Sequence, residues 1–205
     1  MTTNQNEFDK TVDVLVVGSG CGGLTAALTA NISNGSEVLV IEKSNLIGGT
    51  SATSGGVIWI PNNHHAEQAG AVDSTKDAKD YLRATIPADE FNEPMIDSYL
   101  KNGPKMVKFM EDHTDVSYTS LEHYPDYFQD APGVKLGNRA LEPSPVSADT
   151  LEDDVDNLHP SGPQTILFGR YGVNFEESHS FSTQSPGWLF LFIKTFLTYW
   201  LDLPW

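Results

Sequence analysis

The sequence is poor in cysteine and in positive charge. Cys21 is the only cysteine among 205 residues, which excludes an internal disulfide framework and a zinc site made of several cysteines. The 12 lysines and arginines face 28 aspartates and glutamates, which gives a formal net charge of -16. This shortage of basic residues argues against binding to nucleic acid or to anionic lipid, because basic side chains must meet the phosphates there.

A targeting segment and a long uncharged apolar run are also absent. Residues 1–10 are polar and mixed in charge, which predicts a disordered tail without a signal peptide, and we expect a cytoplasmic location. A membrane span needs about 20 largely uncharged residues. The most apolar stretch, 186–205, contains Lys194 and Asp202, so we favour a truncated aromatic core helix there over a contact with a membrane surface.

The hydrophobic pattern near the start predicts a strand, a helix and a second strand. A valine-rich run over 12–17 ends at a glycine cluster, which is typical of a buried parallel strand. A helix is predicted over 24–32, and a second apolar run follows over 38–41. These elements fit into about thirty residues, the size of one βαβ unit.

A glycine motif, G-x-G-x-x-G, lies between the first strand and the helix, at residues 18–23. This position is the one that a dinucleotide-binding turn requires. Gly18 permits the tight turn, Gly20 lets the backbone approach a pyrophosphate, and Gly23 lets helix and strand pack closely. The start of the helix then offers free N–H groups to the phosphates. A turn that binds nothing is the alternative.

Glu42 ends the second strand, nineteen residues after Gly23. A carboxylate there accepts hydrogen bonds from ribose hydroxyls and repels a 2′-phosphate, so NADP is disfavoured. The next segment, 48–56, has two glycine pairs around short hydroxyl residues, which suits a backbone running along a ligand better than a flexible linker. The predicted cofactor-binding residues are Gly18, Ser19, Gly20, Gly22, Gly23, Glu42, Lys43, Gly49, Thr50, Ser51, Ser54, Gly55 and Gly56.

The rest of the chain predicts further helices and a long irregular region. Helices are expected over 75–86, 91–100 and 104–113, the last with proline in its first turn, and a short strand over 116–119. Residues 124–162 are rich in proline, glycine and acidic side chains. The acidic side chains have no calcium-loop spacing, so we interpret them as a solvated surface rather than a site for a hard metal ion.

The histidines show no metal-binding pattern. His64 and His65 are adjacent and are expected to point in different directions, and the other four are scattered along the chain. No i,i+4 pair or triad spacing occurs, so the sequence predicts no metal site. We expect surface or satisfied core positions for all six: His64, His65, His113, His123, His159 and His179.

Several motifs together resemble the FAD domain of the succinate dehydrogenase/fumarate reductase flavoprotein superfamily. They are DVLVVGSG at 13–20, VIEK at 40–43, GGTSATSGG at 48–56 and IWIP at 58–61. Within that superfamily the chain is most similar to 3-ketosteroid Δ1-dehydrogenases, and the resemblance covers nearly the whole chain from Thr11. The narrower motifs are YPDY at 124–127, GNR at 137–139 with EP at 142–143, LFGR at 167–170 and YWLDLPW at 199–205.

The resemblance implies an α/β fold: an incomplete, Rossmann-like FAD-binding domain with added helices and a long Pro/Gly/acid-rich region. We therefore divide the chain into five parts by expected role. They are a disordered tail (1–10), the FAD-binding βαβ unit with its flavin-contacting loop (11–65), a helical extension (66–120), an irregular segment on the active-site side (121–185) and the truncated apolar helix (186–205).

The resemblance also implies the chemistry: 1,2-desaturation of a 3-ketosteroid, a small apolar substrate, by hydride transfer to FAD. A tyrosine matching Tyr127 assists a second tyrosine in removing the proton, so Tyr127 is the expected catalytic residue. Family members are more than twice as long, so we expect an N-terminal portion with part of the catalytic site. A fumarate reductase-like or other enone flavoprotein, and an inactive FAD-binding fragment, stay open as alternatives.

Overall fold

The computed structural model describes residues 8–162, 166–167, 171–172 and 174–201, and the chain divides into two compact units. The first unit comprises Met1–Ser54 and Ala148–Ser161, and the second comprises Gly55–Ser147 and Gly162–Trp205. The later segment joins the first unit through a parallel bridge between Ile47 and Leu158. In addition, the Ile47 N–H donates to the Asn157 carbonyl and the His159 N–H to the Ile47 carbonyl.

The first unit contains the predicted strand, helix and strand. Its elements are β1 (Val14–Val17), α1 (Cys21–Asn34), β2 (Val38–Ile41), the short α2 (Gly49–Thr53) and a 3₁₀ segment (Ala148–Asn157). The strands are parallel and paired from Val14–Val38 to Val17–Ile41. Helix α1 is longer than predicted because it begins within the glycine motif. It ends at Gly35, whose left-handed conformation (φ 64°) is typical of a helix C-terminus.

The strands of this unit are less buried than the sequence predicts. Val16 is buried against α1, whereas Leu15 is 55% exposed and Val17 is 78% exposed. Side chains alternate between the two faces of a strand, and α1 packs on the face that carries Val16. The prediction of a strand buried on both faces is therefore wrong for the face that carries Leu15 and Val17.

The second unit combines helices with a small antiparallel sheet. Strands β3 (Ile58–Trp59), β4 (Tyr118–Ser120) and β5 (Ala140–Pro143) form this sheet in the order β3-β5-β4. A separate hairpin pairs β6 (Ile166–Leu167) with β7 (Tyr171–Gly172). The helices are α3 (His64–Gln68), α4 (Thr75–Thr85), α5 (Glu93–His113), α6 (Phe175–Thr183) and α7 (Trp188–Leu201).

The core of the second unit lies between the sheet and α5. Ile60, Val107 and Leu141 are its buried centre, with Ile58 and Met106 packed against them. Helix α5 is continuous, so the two predicted helices over 91–100 and 104–113 are corrected to one helix. Pro104 lies inside this helix rather than in its first turn. Burial of the α5 face against the core offsets the backbone hydrogen bond that an internal proline removes.

The first turn of α5 instead contains Pro94, and the Asn92 side chain accepts a hydrogen bond from the Met95 N–H at 3.2 Å. Helix α4 begins after Ser74, whose hydroxyl accepts from the Asp77 N–H, close to the predicted start. Helix α7 lies in the predicted apolar stretch, and residues 202–205 of that prediction are outside the described residues. Nowhere in the described part of the chain is there a helix both long and apolar enough to cross a membrane.

Candidate functional site

The glycine motif forms the turn between β1 and α1. Gly18 has a φ of 100°, a conformation that favours glycine, and its N–H donates to the Ile41 carbonyl at 2.7 Å. Gly20 is extended and precedes the first residue of the helix, Cys21. The chain therefore reverses over three residues at the carboxyl ends of both strands, where nucleotide sites of parallel sheets lie.

Gly23 is the position where helix and strand come closest. A Cβ atom there would lie 2.1 Å from the Gly18 carbonyl oxygen and 3.3 Å from Val16 Cγ1, so no other residue fits without moving the helix. A Cβ at Gly22, one residue earlier, would meet no atom within 4 Å. The first turn of α1 thus packs tightly on its strand side and is open at Gly22.

The start of α1 suits an anionic group. The first N–H groups of a helix have no acceptor within the helix and carry a partial positive charge. Among the described residues of the first turn, none is acidic and no side chain caps the helix at Gly20. The Cys21 N–H donates to Ser51 Oγ at 3.0 Å, and a Cβ atom at Gly22 would have free space around it. A pyrophosphate fits this donor set.

Glu42 connects the end of β2 to the glycine turn. Its Oε2 accepts from the Ser19 N–H at 2.9 Å and from Ser19 Oγ at 2.7 Å, and its Oε1 accepts from the Ser44 N–H at 3.0 Å. These donors, the Ser19 hydroxyl first among them, lower the pKa of Glu42 to about 2. A charged carboxylate oxygen has more than one acceptor site, so Glu42 can also accept from a ribose hydroxyl.

The buried Ser19 joins three parts of the first unit. Its hydroxyl donates to Glu42 and accepts from the Gly48 N–H at 2.9 Å. The sequence placed Ser19 in the site only as part of the glycine motif, and its role in holding Glu42 was missed. A small hydroxyl residue between the first two glycines of the motif is the signal that could have indicated it.

Part of the segment 48–56 folds into a helix beside the glycine turn. Helix α2 covers Gly49–Thr53, and Ser51 Oγ faces the first turn of α1 through its bond from Cys21. Other hydroxyls bond within the segment: Thr53 Oγ1 donates to the Thr50 carbonyl at 2.9 Å and Ser54 Oγ to the Ser51 carbonyl at 3.0 Å. These hydroxyls satisfy their own backbone, as short polar side chains commonly do.

The predicted cofactor residues divide between the two units. The glycine motif, Glu42 and Ser51 lie together in the first unit, where Lys43 and Thr50 are exposed and Gly49 is half-buried. Gly55 and Gly56 belong to the second unit. Gly56 has a φ of 73° there, and a Cβ atom at this position would lie 2.7 Å from Pro143 Cγ.

Tyr127, the predicted catalytic residue, lies on an irregular loop of the second unit. Its side chain is 81% exposed, and its hydroxyl is 3.1 Å from the hydroxyl of Tyr124. The hydrogen bond with Tyr127 is the main reason that the pKa of Tyr124 is raised. The two phenols form a pair in which either hydroxyl can donate to the other.

A buried ion network holds the Tyr127 loop. Asp126 accepts from Trp59 Nε1 on Oδ1 at 2.7 Å, and its Oδ2 accepts from Arg139 Nη1 at 2.7 Å and from the Lys135 N–H at 2.9 Å. Arg139 also donates to Asp73 through Nε at 3.0 Å and Nη2 at 2.7 Å. The carboxylate of Asp126, the residue next to Tyr127, is thereby fixed by three donors, from Trp59, Lys135 and Arg139.

The pKa shifts of Asp73 and Arg139 both favour the charged form of these groups, although the pair is buried. Burial by itself raises the pKa of Asp73, but the hydrogen bonds and charge of Arg139 outweigh it and the pKa is lowered. Burial likewise lowers the pKa of Arg139, and the two carboxylates more than reverse this, so its pKa is raised. Sequence reasoning missed these roles: Asp126 and Arg139 appeared only within the YPDY and GNR motifs, and Asp73 gave no signal.

An apolar pocket of about 320 Å³ lies beside the Tyr124–Tyr127 pair. Its lining combines aliphatic and aromatic side chains with the two phenols, and it includes Val57, Trp59, Leu82, Tyr124, Tyr127 and Phe128. A concave apolar surface with a few polar groups is the usual form of a site for a small apolar molecule. Asp126 also lines the pocket, where the network fixes its carboxylate.

The structure corrects the prediction for the adjacent histidines. His64 Nε2 lies 2.8 Å from Glu111 Oε2, and His65 Nε2 lies 2.7 Å from Glu111 Oε1. The ring centroids are only 4.1 Å apart. The prediction that the two rings point in different directions is therefore wrong, because both rings turn toward one carboxylate on α5.

The sequence matches a known protein family and is similar to two dehydrogenases of known name. The model of the family described as "FAD binding domain" matches residues 13–149. The chain is 42% identical over 162 residues to 4-oxocyclohexanecarboxylate 2-dehydrogenase from Sinomonas cyclohexanicum, which is 78% of this chain and 28% of that protein. It is 41% identical over 150 residues to 3-oxosteroid 1-dehydrogenase from Mycobacterium tuberculosis, which is 73% of this chain and 26% of that protein.

A solved structure shows the same similarity in three dimensions. It is the 3-ketosteroid delta1-dehydrogenase from Sterolibacterium denitrificans in complex with 1,4-androstadiene-3,17-dione, with a TM-score of 0.86 and 39% identity. The match covers 95% of this chain and 34% of that protein. The chain thus spans about a quarter to a third of the length of these proteins.

Proposed function

The chain belongs to the FAD binding domain family, and from that membership we propose that its first unit binds the ADP half of FAD. The unit supplies a Rossmann-like β-α-β turn of two parallel strands, incomplete compared with a full doubly wound sheet. The residues of the first unit that we assign to FAD are Gly18, Ser19, Gly20, Gly22, Gly23, Glu42, Lys43, Gly49, Thr50, Ser51 and Ser54. Gly55 and Gly56, which belong to the second unit, stay predictions from the sequence.

The observation that carries this assignment is the first turn of α1, closed at Gly23 and open at Gly22. The first N–H groups of α1 are the donors that we assign to the pyrophosphate, so a protein of net charge -16 holds an anion through local dipoles rather than basic side chains. Glu42, fixed by Ser19, accepts hydrogen bonds from the ribose hydroxyls. Its charge disfavours a 2′-phosphate.

We also propose that the complete enzyme desaturates a 3-ketosteroid between the carbon next to the carbonyl, which loses the proton, and the following ring carbon, which loses the hydride. Both the 3-oxosteroid 1-dehydrogenase and the steroid-bound structure support this class of substrate. The apolar pocket beside Tyr127 supports it as well, because a steroid ring system gains its binding energy from apolar contact. FAD, when bound, supplies the acceptor for the hydride.

Tyr127 assists removal of the proton from the carbon next to the carbonyl. An isolated phenol has a pKa near 10 and is a poor base at neutral pH, so its proton must have somewhere to go. Its exposed hydroxyl can take the substrate proton while it donates its own proton to the Tyr124 hydroxyl, 3.1 Å away, which in turn releases its proton to solvent water. Asp126 and Arg139 keep this loop in place during the exchange.

The name of one relative suggests a second class of substrate. The relative from Sinomonas cyclohexanicum is named for a cyclic ketone that carries a carboxylate. In both classes one hydrogen leaves the carbon next to a ring carbonyl and one leaves the following carbon, and the classes differ in the polarity of the rest of the molecule. The mainly apolar lining of the pocket favours the steroid.

Binding of FAD is tested on the 205-residue chain by quenching of flavin fluorescence. We expect ADP to compete with FAD and FMN to leave the titration unchanged, because the first unit recognises the ADP half. Glu42→Gln should weaken FAD binding by about 10- to 100-fold, which corresponds to the loss of a hydrogen bond to a charged group. Glu37→Gln, which removes an exposed carboxylate paired with Lys10, is the matched control. Absence of FAD binding to the folded chain would contradict the assignment.

The reaction is tested in a chimera in which residues 11–205 replace the matching segment of the Sterolibacterium enzyme. We expect turnover of androstenedione, and a loss of about 100-fold or more with Tyr127→Phe while FAD binding is unchanged. Tyr124→Phe should reduce turnover less than Tyr127→Phe does, because a water molecule can take the place of the Tyr124 hydroxyl. Faster turnover of 4-oxocyclohexanecarboxylate than of the steroid would favour the second class. Full activity of Tyr127→Phe would remove Tyr127 from the mechanism.

A further inference from the structure

His64, His65 and Glu111 bring three metal-ligating atoms together in the second unit. The two imidazole Nε2 atoms and the Glu111 carboxylate oxygens lie within 4.8 Å of one another. Each nitrogen faces a different oxygen of the carboxylate, at 2.8 and 2.7 Å. All three side chains are half-buried, so they are partly shielded from bulk water and still reachable by an ion.

The backbone around these ligands is held in place from both sides. Asn63, directly before α3, is buried and accepts from the Ala66 N–H at 2.8 Å. Its amide also donates to the carbonyls of Ile60 and Asn138 at 2.7 and 2.8 Å. The first two residues of α3, which are the two histidines, are therefore fixed by a cap that is tied to two other segments.

Glu111 is equally well anchored. It lies near the end of α5, one residue after the buried Met110 and four after the buried Val107. Its Oε1 also accepts from the Tyr118 N–H at 3.0 Å, which orients the carboxylate from outside the ligand set. Such outer hydrogen bonds are what orients the ligands of metal sites in proteins.

We propose that His64, His65 and Glu111 bind a divalent late transition-metal ion, of which Zn²⁺ is the best match. Two imidazoles and one carboxylate are a ligand set that zinc accepts, with the remaining position taken by water. Mg²⁺ and Ca²⁺ prefer oxygen ligands throughout, so the two nitrogens select against them. This site is independent of the FAD site and needs none of its residues.

Binding requires only a rearrangement of protons and no change in oxidation state. An ionised carboxylate can only accept a hydrogen bond, so in the metal-free arrangement each facing Nε2 donates to Glu111. A ring that binds the metal ion instead gives it the Nε2 lone pair and carries its proton on Nδ1. Among the described residues, Glu111 forms ion pairs with these two imidazoles alone, so the metal displaces no lysine or arginine.

A bound ion would cross-link α3 to α5 next to the core of the second unit. Ile60, which follows the pocket residue Trp59 in the segment from β3 to α3, lies in the same core cluster as Val107 of α5. We therefore assign the ion a structural role, in which it makes the folded second unit more stable whenever the metal is present. The sequence predicted no metal site because the third ligand is 46 residues from His65.

The proposal is tested with tag-free protein and Zn²⁺, by competition with a chromophoric chelator. We expect one equivalent of Zn²⁺ to bind and to raise the unfolding temperature, with no such effect from Mg²⁺. The double variant His64→Gln/His65→Gln should bind at least about 100-fold more weakly. The control is His113→Gln/His123→Gln, which removes two histidines elsewhere in the chain. A Cys21→Ser variant distinguishes Zn²⁺ bound by the thiol from Zn²⁺ bound at the proposed site. Equal affinity of the His64/His65 variant and the control would overturn the proposal.

A second measurement does not depend on the folding of any variant. In ¹⁵N-labelled wild-type protein, the imidazole nitrogens of all six histidines can be followed during a Zn²⁺ titration. We expect two rings to change to the Nδ1–H form with Nε2 bound to metal, and four rings to stay unchanged. A titration in which no pair of rings changes together, or in which other histidines change first, would overturn the proposal.

Discussion

The candidate sites of the two units are built from the sequence in different ways. In the first unit, the candidate site is made within residues 18–51, and backbone N–H groups and glycines shape it. In the second, the Tyr127 loop is held by Asp73, Asp126 and Arg139, of which Asp73 is 66 residues from Arg139, and the three meet in the interior. The first site is therefore a local structure, and the second exists only when the whole unit is folded.

The two units also differ in how completely their apolar side chains are buried. Apolar side chains of the first sheet, such as Leu15 and Val17, are largely exposed, whereas Val107 and Leu141 of the second unit are completely buried. Burial of apolar surface is the main favourable contribution to folding. Substitutions in the second unit should therefore cost stability, and those in the first unit should mainly change ligand binding and local geometry.

The largest effect should follow from Arg139→Met. The substitution leaves the carboxylates of Asp73 and Asp126 buried without their cation, since the arginine is only 2% exposed. Removal of one partner from a buried ion network costs about 3–5 kcal/mol of unfolding free energy. Urea unfolding followed by tryptophan fluorescence measures it, because all four tryptophans lie outside residues 1–54 and 148–161.

Arg83→Met is the matched control for this measurement. Arg83 makes an exposed ion pair with Glu93, and such pairs contribute about 0–1 kcal/mol. A loss for Arg139→Met no larger than that for Arg83→Met would mean that the network does not stabilise the second unit.

The same contrast explains what could be predicted from the sequence. The strand–helix–strand order and the glycine turn were predictable because their signals lie within about thirty consecutive residues, the length of one βαβ unit. The exposure of Leu15 and Val17 was not, because an apolar run gives no sign of which face is covered. The Arg139 network could not be predicted either, since Asp73 is 66 residues from its partner.

Local rules also failed where packing outweighs them. Pro104 predicted the start of a helix, yet α5 passes through it because the neighbouring residues Gly103 and Val107 are buried in the core. The His64–His65 pair predicted rings facing apart. A carboxylate 46 residues further along the chain from His65 turned both rings to one side. In each case the deciding partner is distant in sequence.

The second prediction compares equivalent leucines of the two units. Leu141→Ala removes a side chain with no exposure in the core, and we expect a loss of about 2–5 kcal/mol. Leu15→Ala in β1 removes one that is 55% exposed and should cost below about 1 kcal/mol. Amide hydrogen exchange read by mass spectrometry measures both, since it reports each unit separately. An equal loss of unfolding free energy in the two variants would contradict the proposed difference in packing.

The third prediction compares adjacent glycines of the turn. Gly23→Ala places a methyl group 2.1 Å from the Gly18 carbonyl oxygen, so α1 must move, and we expect a loss of about 1–3 kcal/mol. Gly22→Ala meets no atom within 4 Å and should leave the exchange rates of the first unit unchanged or lower them, because alanine favours the helix. Similar exchange in both variants would show that helix and strand do not need their close contact.

The smallest effect should be the pH dependence due to Glu42. Its pKa in the folded chain is about 2, below the ordinary value of 4.5, because the Ser19 hydroxyl and N–H bond to its charged form. This contribution to stability is therefore complete above about pH 4.5 and is lost as the pH falls toward about 2. Carbon NMR of the Glu42 carboxyl should show Ser19→Ala moving the pKa upward. Thr29→Ala, whose hydroxyl bonds within α1, should leave it unchanged. An unchanged pKa in Ser19→Ala would mean that Ser19 does not hold Glu42, and the connection between the glycine turn and the ribose acceptor would be lost with it.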